Sequence, residues 1–245
     1  MGKTWNNILN VATKQGLKDI GARHVLPTAI YSQEDLTAND WLIDVSTTAI
    51  RRAWSMPLDV GKAGLADSDF LNVFPGEHYR LLAALAQVMA TKNVVEIGTF
   101  TGMGTLSLRA GMIEGTVTTF DIIAWDALPQ PSHFVPADLD DGRIVQIIGD
   151  LTDNDVFDAS FDVLEAADII FMDAPKDGVF EYKMMVQLMK LAPRQKKLLI
   201  LDDIRFRNMI KLWRAIASPK LDLSSFGHWS GTGIVDISAG LAFTV

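Results

Sequence analysis

The stretch of sequence that decides the fold is NVVEIGTFTGMGT, residues 93–105. It begins with a short apolar, largely β-branched run and continues with glycines at Gly98, Gly102 and Gly104. Glycine permits positive φ and lets other atoms approach the bare backbone. Residues 106–112 are compatible with a helix, whose N-terminus would point free N–H groups toward a ligand at the turn. The pattern therefore predicts a strand, a tight turn and a helix.

The spacing of these glycines limits the ligands that the turn can bind. It is G-x-x-x-G-x-G, which differs from the G-x-G-x-x-G of dinucleotide-binding folds. No G-K-[ST] follows, as a phosphate-binding P-loop would require. Glu96 places a negative charge beside the turn, which suits a ligand with a cationic and hydroxylated part better than a pyrophosphate. A plain strand-to-helix connection without a ligand is the alternative at this point.

The acid and the three glycines together resemble the first motif of class I S-adenosylmethionine-dependent methyltransferases. This resemblance implies an α/β fold of the Rossmann-like, doubly wound kind, with a mostly parallel seven-stranded sheet. It also implies that the turn holds the methionine part of S-adenosylmethionine. The cofactor residues expected here are Glu96, Gly98, Thr99, Phe100, Gly102, Gly104 and Thr105.

Two more predicted strands end in acids with a place in the same pattern. Residues 116–121 end in Asp121, 23 positions after Gly98, and an acid at about this spacing is placed for ribose hydroxyls. Residues 143–150 end in Asp150, and the resemblance places Asp150 and Leu151 beside the adenine ring. The alternatives are that Asp121 is a solvated loop acid and that Asp150 caps the next helix. Between these strands, residues 122–142 contain three prolines and are predicted to be irregular.

Three acids follow the next two predicted strands. Asp173 ends the run 167–173, while Asp202 and Asp203 end the run 196–203. Adjacent parallel strands would bring them to the sheet edge at which open α/β sheets bind ligands. Their repulsion, about 4 kcal/mol per close pair at an effective dielectric near 20, would favour a hard divalent cation with oxygen ligands.

The pattern D-x-x-K-D at 173–177, followed by the paired acids, is similar to cation-dependent O-methyltransferases of the catechol and caffeoyl-CoA type and to related bacterial enzymes. The resemblance implies that Asp173, Asp202 and Asp203 bind Mg²⁺ or another divalent cation. It implies that Lys176 is the general base, and that Asp173 serves in catalysis and in the cofactor site as well. The chain departs from the family at Asp203, where an asparagine is usual.

Each of these residues also has a simpler interpretation. Lys176 follows a proline turn and is equally compatible with a surface lysine. Asp202 or Asp203 is compatible with an N-cap for a helix at 206–217. His228 is expected to be a packing residue.

The predicted domain organisation has two parts. Residues 1–73 form an N-terminal helical extension, a lid or dimer surface, with a helix from about Trp41 to Trp54. Residues 74–245 form the S-adenosylmethionine-binding domain and close with an antiparallel C-terminal hairpin, with strands at 221–229 and 234–245 joined by residues 230–233.

Composition limits the partners. The chain has 245 residues, a net charge of −8 and no cysteine. The acidic balance argues against nucleic acid as the main partner. No apolar run approaches the length that spans a bilayer, and no signal peptide is recognised. We therefore expect a cytoplasmic enzyme, and we expect it to be a homodimer.

The function predicted from the sequence is cation-assisted methyl transfer from S-adenosylmethionine to a hydroxyl of a small molecule: a sugar, a phenolic compound or a secondary metabolite. Three alternatives carry less support. The glycine spacing disfavours a nicotinamide-dependent oxidoreductase, and the acidic charge disfavours a nucleic-acid methyltransferase. The intact Lys176 and the three acids disfavour a non-catalytic cofactor-binding module.

Overall fold

The structure is a computed structural model that describes residues 38–58, 60 and 68–244. Within these residues the centre of the molecule is one sheet of seven strands. The strands are β1 (Asn93–Ile97), β2 (Thr116–Asp121), β3 (Ile144–Ile148), β4 (Ile169–Met172), β5 (Leu198–Asp202), β6 (Lys220–Asp222) and β7 (Thr232–Asp236). Their order is β3-β2-β1-β4-β5-β7-β6. Strands β1 to β5 are parallel, and β7 is antiparallel to both of its neighbours.

Helices alternate with these strands, as the sequence predicts for a doubly wound fold. The helices are α1 (Asp40–Ser55), α2 (Tyr79–Val88), α3 (Met103–Gly111), α4 (Asn154–Ala159), α5 (Phe161–Ala166), α6 (Phe180–Leu188) and α7 (Met209–Ala215). Short 3₁₀ helices occur at Ser68–Asn72 and Pro136–Asp138. The second of these is the only helical element in the proline-containing segment 122–142, which is otherwise irregular as predicted. Every helix in the described ranges is too short or too polar to cross a membrane.

Both faces of the sheet are covered, which explains why its central strands are apolar throughout. Successive residues of a strand point to opposite faces. In β4, Ile169 and Phe171 belong to one core, whereas Ile170 and Met172 belong to the other. Parallel strands buried on both faces are expected to show such continuous apolar runs.

Helix α1 is where the sequence predicts it, and it is part of the sheet's own core. Asn39 caps it by accepting a hydrogen bond from the backbone N–H of Leu42 at 2.9 Å. Leu42 packs in the same core as Ile200 of β5. At the other end of the helix, the Arg80 guanidinium donates to the carbonyl of Trp54 at 2.7 Å. Residues 1–37, 59 and 61–67 of the predicted extension lie outside the described residues, and its role as a lid or dimer surface stays a prediction.

The C-terminal antiparallel pair is confirmed, but its predicted bounds are wrong. Thr232 and Gly233, predicted as the turn, are buried residues of β7, so the connection is 223–231. Gly233 is needed inside the strand because a Cβ there would lie 2.5 Å from the Trp213 ring. Strand β7 ends at Asp236 because this carboxylate accepts from the backbone N–H of Ser238 at 2.9 Å and turns the chain.

Close packing of α2 against α3 depends on a glycine. A Cβ on Gly111 would lie 2.0 Å from the carbonyl oxygen of Ala83. We expect Gly111→Ala to lower the free energy of unfolding by about 3 kcal/mol, because the two backbones must move apart. Urea unfolding would measure the loss. In the control Gly142→Ala the new Cβ meets nothing within 4 Å, so only the strain of positive φ, about 1 kcal/mol, applies. Equal losses in both variants would contradict this prediction.

Candidate active site

The carboxyl ends of the parallel strands border a cavity of about 770 Å³, a size typical of small-molecule sites. Residues from four strand ends meet there, as expected for a ligand site in an open α/β sheet. Six of the predicted cofactor residues line it: Gly98, Phe100, Asp121, Asp150, Leu151 and Asp173.

Asp121 lines this cavity and also holds the turn that follows β1. Its Oδ2 accepts from the backbone N–H groups of Thr99 at 3.0 Å and Phe100 at 2.9 Å. Its Oδ1 accepts from the N–H of Ile123 at 3.1 Å. The alternative of a solvated loop acid is therefore wrong. A carboxylate has about four acceptor positions, so Asp121 can still accept from a ligand hydroxyl.

Gly98 is required by the backbone around it. Its φ is 102°, and a Cβ there would lie 1.9 Å from the carbonyl oxygen of Asp173. The turn after β1 is thus pressed against the end of β4. This contact places Gly98 and Asp173 side by side on the cavity wall.

The other predicted cofactor residues of the glycine motif face inward. Glu96 is buried and accepts hydrogen bonds from the hydroxyls of Thr105 and Thr119. A Cβ on Gly104 would lie 2.2 Å from Oε1 of Glu96. The Thr99 hydroxyl is hydrogen-bonded to that of Thr119 at 2.7 Å. These residues support the turn from beneath, and a direct contact with cofactor stays a prediction for them.

Gly102 has a similar internal role. Its φ is 89°, and a Cβ there would lie 2.8 Å from the ring of Phe134. This ring comes from the irregular segment 122–142, which thereby packs on the glycine turn. The segment is anchored at the same place by the backbone N–H of His133, which donates to the carbonyl of Thr101 at 2.8 Å.

The three predicted metal-binding acids converge on Lys176. Its Nζ contacts Oδ1 of Asp173 and lies 3.5 Å from Oδ2 of Asp202 and 3.3 Å from Oδ2 of Asp203. Burial by itself would lower the pKa of Lys176, but the charges of the three carboxylates outweigh it and raise the pKa. Lys176 is therefore an ammonium group among the acids, and the alternative of a surface lysine is wrong.

Asp202 is the most buried of the three acids and has partners on two sides. Its Oδ1 lies 3.2 Å from Nδ1 of His78 and 3.4 Å from Nδ1 of His228. Burial opposes its ionisation, but His78, Lys176 and His228 together lower its pKa. For Asp173 the balance is reversed, because burial and the charge of Asp202 raise its pKa. The pKa values of Asp202 and Asp173 are thus shifted in opposite directions, although both carboxyl groups face Lys176.

The alternative that these acids cap helices is also wrong. The N-cap of helix α7 is Asn208. Asp203 has a left-handed φ of 58° and accepts a hydrogen bond from the hydroxyl of Ser230. The same holds for Asp150, because Asp153 is the N-cap of α4. Asp150 instead accepts from the backbone N–H of Thr152 at 2.8 Å.

Two histidines and one glutamate of the site were missed by the sequence reasoning. His78 is buried at the start of α2, and His228 lies in the connection 223–231. Nε2 of His228 is 3.0 Å from Oε2 of Glu77. The expectation that His228 only packs is wrong, since it pairs with Glu77 and faces Asp202 and Asp203. The adjacent Glu77-His78 before a helix was the only signal available, and it is a weak one.

The fold and this edge of the sheet define a class of protein. A parallel sheet extended by the antiparallel β7, a glycine turn after β1 and acids at the strand ends characterise a class I S-adenosylmethionine-dependent methyltransferase. The family model described as O-methyltransferase matches residues 71–210. This match spans more than half of the chain, so the chain belongs to the O-methyltransferase family and is an S-adenosylmethionine-dependent enzyme.

One solved structure supports the fold, and two others are similar to this chain with TM-scores below 0.5. A protein from Staphylococcus aureus assigned as a caffeoyl-CoA O-methyltransferase is 19% identical, with a TM-score of 0.53 over 80% of this chain and 97% of the other. A Podospora anserina methyltransferase solved with S-adenosylhomocysteine is 18% identical, with a TM-score of 0.46 over 80% and 95%. An O-methyltransferase from Bacillus cereus, also solved with this compound, is 18% identical, with a TM-score of 0.44 over 81% of this chain and 90% of the other. No curated protein matched the chain in a sequence comparison.

The buried Glu96 makes a pH-dependent prediction. Burial raises its pKa to about 8, although hydrogen bonds from Thr105 and Thr119 oppose the shift. In the unfolded chain its pKa is about 4.3. At a pH between about 4.3 and 8, folding is therefore accompanied by the uptake of one proton at Glu96. Stability from this group therefore falls as the pH rises from about 5 to about 8, by up to about 1.4 kcal/mol per pH unit.

Glu96→Gln stays neutral and should lack this loss. Urea unfolding at several pH values from 5 to 8 would compare it with the wild type and with Glu114→Gln, which changes an exposed glutamate. We expect the free energy of unfolding of Glu96→Gln to rise relative to wild type as the pH increases. A difference that does not change with pH would contradict the assignment of a neutral Glu96.

Proposed function

We propose that this enzyme transfers a methyl group from S-adenosylmethionine to a hydroxyl of a small molecule with the help of a divalent cation. The observation that carries the proposal is the position of Asp173. This residue lines the 770 Å³ cavity and also contacts Lys176 among the acids. A methyl donor in the cavity and an acceptor at the acids would therefore be neighbours. Sugars, phenolic compounds and secondary metabolites are the acceptor classes we propose.

The cavity has the chemistry that this cofactor needs. Its lining combines the acids Asp121, Asp150 and Asp173, which can accept from hydroxyl and amino groups, with apolar side chains such as Leu151 and Phe120. We assign Asp121 to the ribose, Asp150 and Leu151 to the adenine, and Gly98 with Asp173 to the part that carries the sulfonium. When bound, S-adenosylmethionine supplies an electrophilic methyl group on a positively charged sulfur.

The acids also suit a divalent cation. Three carboxyl groups, those of Asp173, Asp202 and Asp203, face the single ammonium group of Lys176. Carboxylate oxygens are ligands that Mg²⁺ prefers. A cation held by Asp173, Asp202 and Asp203 would supply Lewis-acid chemistry toward the acceptor hydroxyl.

Lys176 is the proposed general base, and its surroundings provide a means of control. As an ammonium group it cannot accept a proton. The carboxylates raise its pKa, whereas burial lowers it. If a cation neutralised the carboxylates, burial would dominate and the pKa of Lys176 would fall. A neutral Lys176 beside the acceptor could then remove the hydroxyl proton.

The family match gives no support to the nicotinamide-dependent alternative. The cytoplasmic location and the homodimer stay predictions of the sequence.

The role of Lys176 can be tested by substitution. We expect Lys176→Met to lower kcat about 10²- to 10⁴-fold, the range for loss of a general base, with affinity for S-adenosylhomocysteine changed little. Product formation from S-adenosylmethionine and Mg²⁺ would be measured over a panel of catechols, glycosides and phenolic esters. Lys92→Met is the control, because Lys92 is exposed near the opposite end of β1 and pairs with Glu114 at 3.0 Å. Unchanged turnover in Lys176→Met would refute the assignment.

The cation part of the proposal is separable from the cofactor part. Asp202 does not line the cavity, so we expect Asp202→Asn to weaken Mg²⁺ binding at least about tenfold while S-adenosylhomocysteine binds as in wild type. Isothermal titration would measure both ligands. Asp153→Asn is the control, because asparagine also caps a helix. Failure of the wild type to bind Mg²⁺ would contradict the cation assignment. Failure of the wild type to bind S-adenosylhomocysteine would contradict the cofactor site.

A further inference from the structure

We propose that His78, Asp202 and His228 form a binding site for a divalent transition-metal cation such as Zn²⁺ or Co²⁺. Each residue offers one ligand atom, and the three atoms lie within 4.8 Å of one another. This site goes beyond methyl transfer, because it uses the face of Asp202 that is turned away from Lys176 and it needs neither cofactor nor acceptor.

The distances between the ligand atoms match those of a coordination shell. Oδ1 of Asp202 lies 3.2 Å from Nδ1 of His78 and 3.4 Å from Nδ1 of His228. Ligands bound at about 2.0–2.1 Å, with angles between 90° and the tetrahedral value, are about 2.8–3.4 Å apart. Two edges of the site therefore already have the required length. A cation would need to draw only the two imidazoles together.

Buried polar atoms that lack a well-formed hydrogen bond lie at this place. His78 is 1% exposed. Its Nε2 has no hydrogen-bond partner within the described part of the chain, and its Nδ1 faces Oδ1 of Asp202 at 3.2 Å without the geometry of a hydrogen bond. Such atoms destabilise the folded state when they are left unsatisfied in the interior. A cation that accepts a lone pair from Nδ1 and another from Oδ1 would satisfy two of these atoms at once.

His228 is oriented as a metal-binding histidine usually is. Its Nε2 lies 3.0 Å from Oε2 of Glu77, and ligating histidines typically donate their second N–H to a carboxylate in this way. This contact directs Nδ1 toward Asp202. Nδ1 is hydrogen-bonded to the hydroxyl of Ser230, and a bound cation would replace that contact.

The two oxygens of Asp202 thus serve two different sites. Oδ2 faces Lys176 at 3.5 Å, among oxygen ligands that suit Mg²⁺. Oδ1 faces two imidazoles, which favour zinc, cobalt, nickel or iron over magnesium. The rings of Tyr79 and Phe171 pack against His78 at centroid distances of 4.8 and 5.4 Å and give the histidine side an apolar wall. Cation selectivity therefore distinguishes the sites.

The experiment is a titration of the metal-free full chain with Co²⁺, followed by visible absorption and X-ray absorption spectroscopy. We expect Co²⁺ to bind more tightly than Mg²⁺ and to show scattering from imidazole ligands. His78→Gln and His228→Gln should each weaken Co²⁺ binding by more than about 100-fold, and Glu77→Gln by about 10- to 100-fold. His133→Gln is the matched control, because it removes another buried histidine and should retain Co²⁺ binding.

Thermal melting and S-adenosylhomocysteine binding of each variant would show that it is folded. Cobalt with oxygen ligands alone, or affinity unaffected by the loss of both histidines, would overturn the site. The X-ray absorption spectrum of Co²⁺ bound to the wild type shows whether imidazole ligands are present, even if a variant does not fold. Failure of methyl transfer with an intact cobalt site would count against the proposed function alone.

Discussion

The burial of Asp202 at the end of β5 is the constraint on which the arrangement of this site depends. A carboxylate removed from water costs several kcal/mol unless its charge is balanced nearby. Strand β5 is apolar and covered on both faces, so the balance must come from other segments. Lys176 supplies it on one side, and His78 and His228 supply it on the other. The start of α2, the turn after β4 and the connection from β6 to β7 are thus drawn to one point.

The glycine turn after β1 has a different physical basis from the one its motif suggests. Gly98 is demanded by the carbonyl of Asp173, Gly102 by the ring of Phe134 and Gly104 by the buried Glu96. The ligand cavity benefits indirectly, because these contacts fix the backbone that forms its wall. Asp121 completes the support by accepting from two N–H groups of the turn. Internal packing is sufficient to explain all three glycines.

The cavity and the acids are coupled through Asp173. Asp173 lines the cavity, its carboxyl group contacts the Lys176 ammonium, and the charge of Asp202 raises its pKa. A change in charge at the acids therefore alters the electrostatic potential in the cavity, and a charged ligand in the cavity alters the ionisation of the acids. Such coupling suits a reaction in which a positively charged donor and an ionising acceptor must be brought together.

The sequence by itself determined the sheet and the positions of the acids at its edge. Strand β2 was predicted with its observed bounds, and Asp121, Asp173 and Asp202 were placed at strand ends, because apolar runs and strand-end residues are local features of the chain. Only the tertiary structure decided where side chains point and what meets them. Glu96 faces inward, Thr232 and Gly233 lie in a strand rather than a turn, and His78 meets His228 from 150 residues away. Such contacts arise from strand order and from packing across the sheet, which no local pattern of residues encodes.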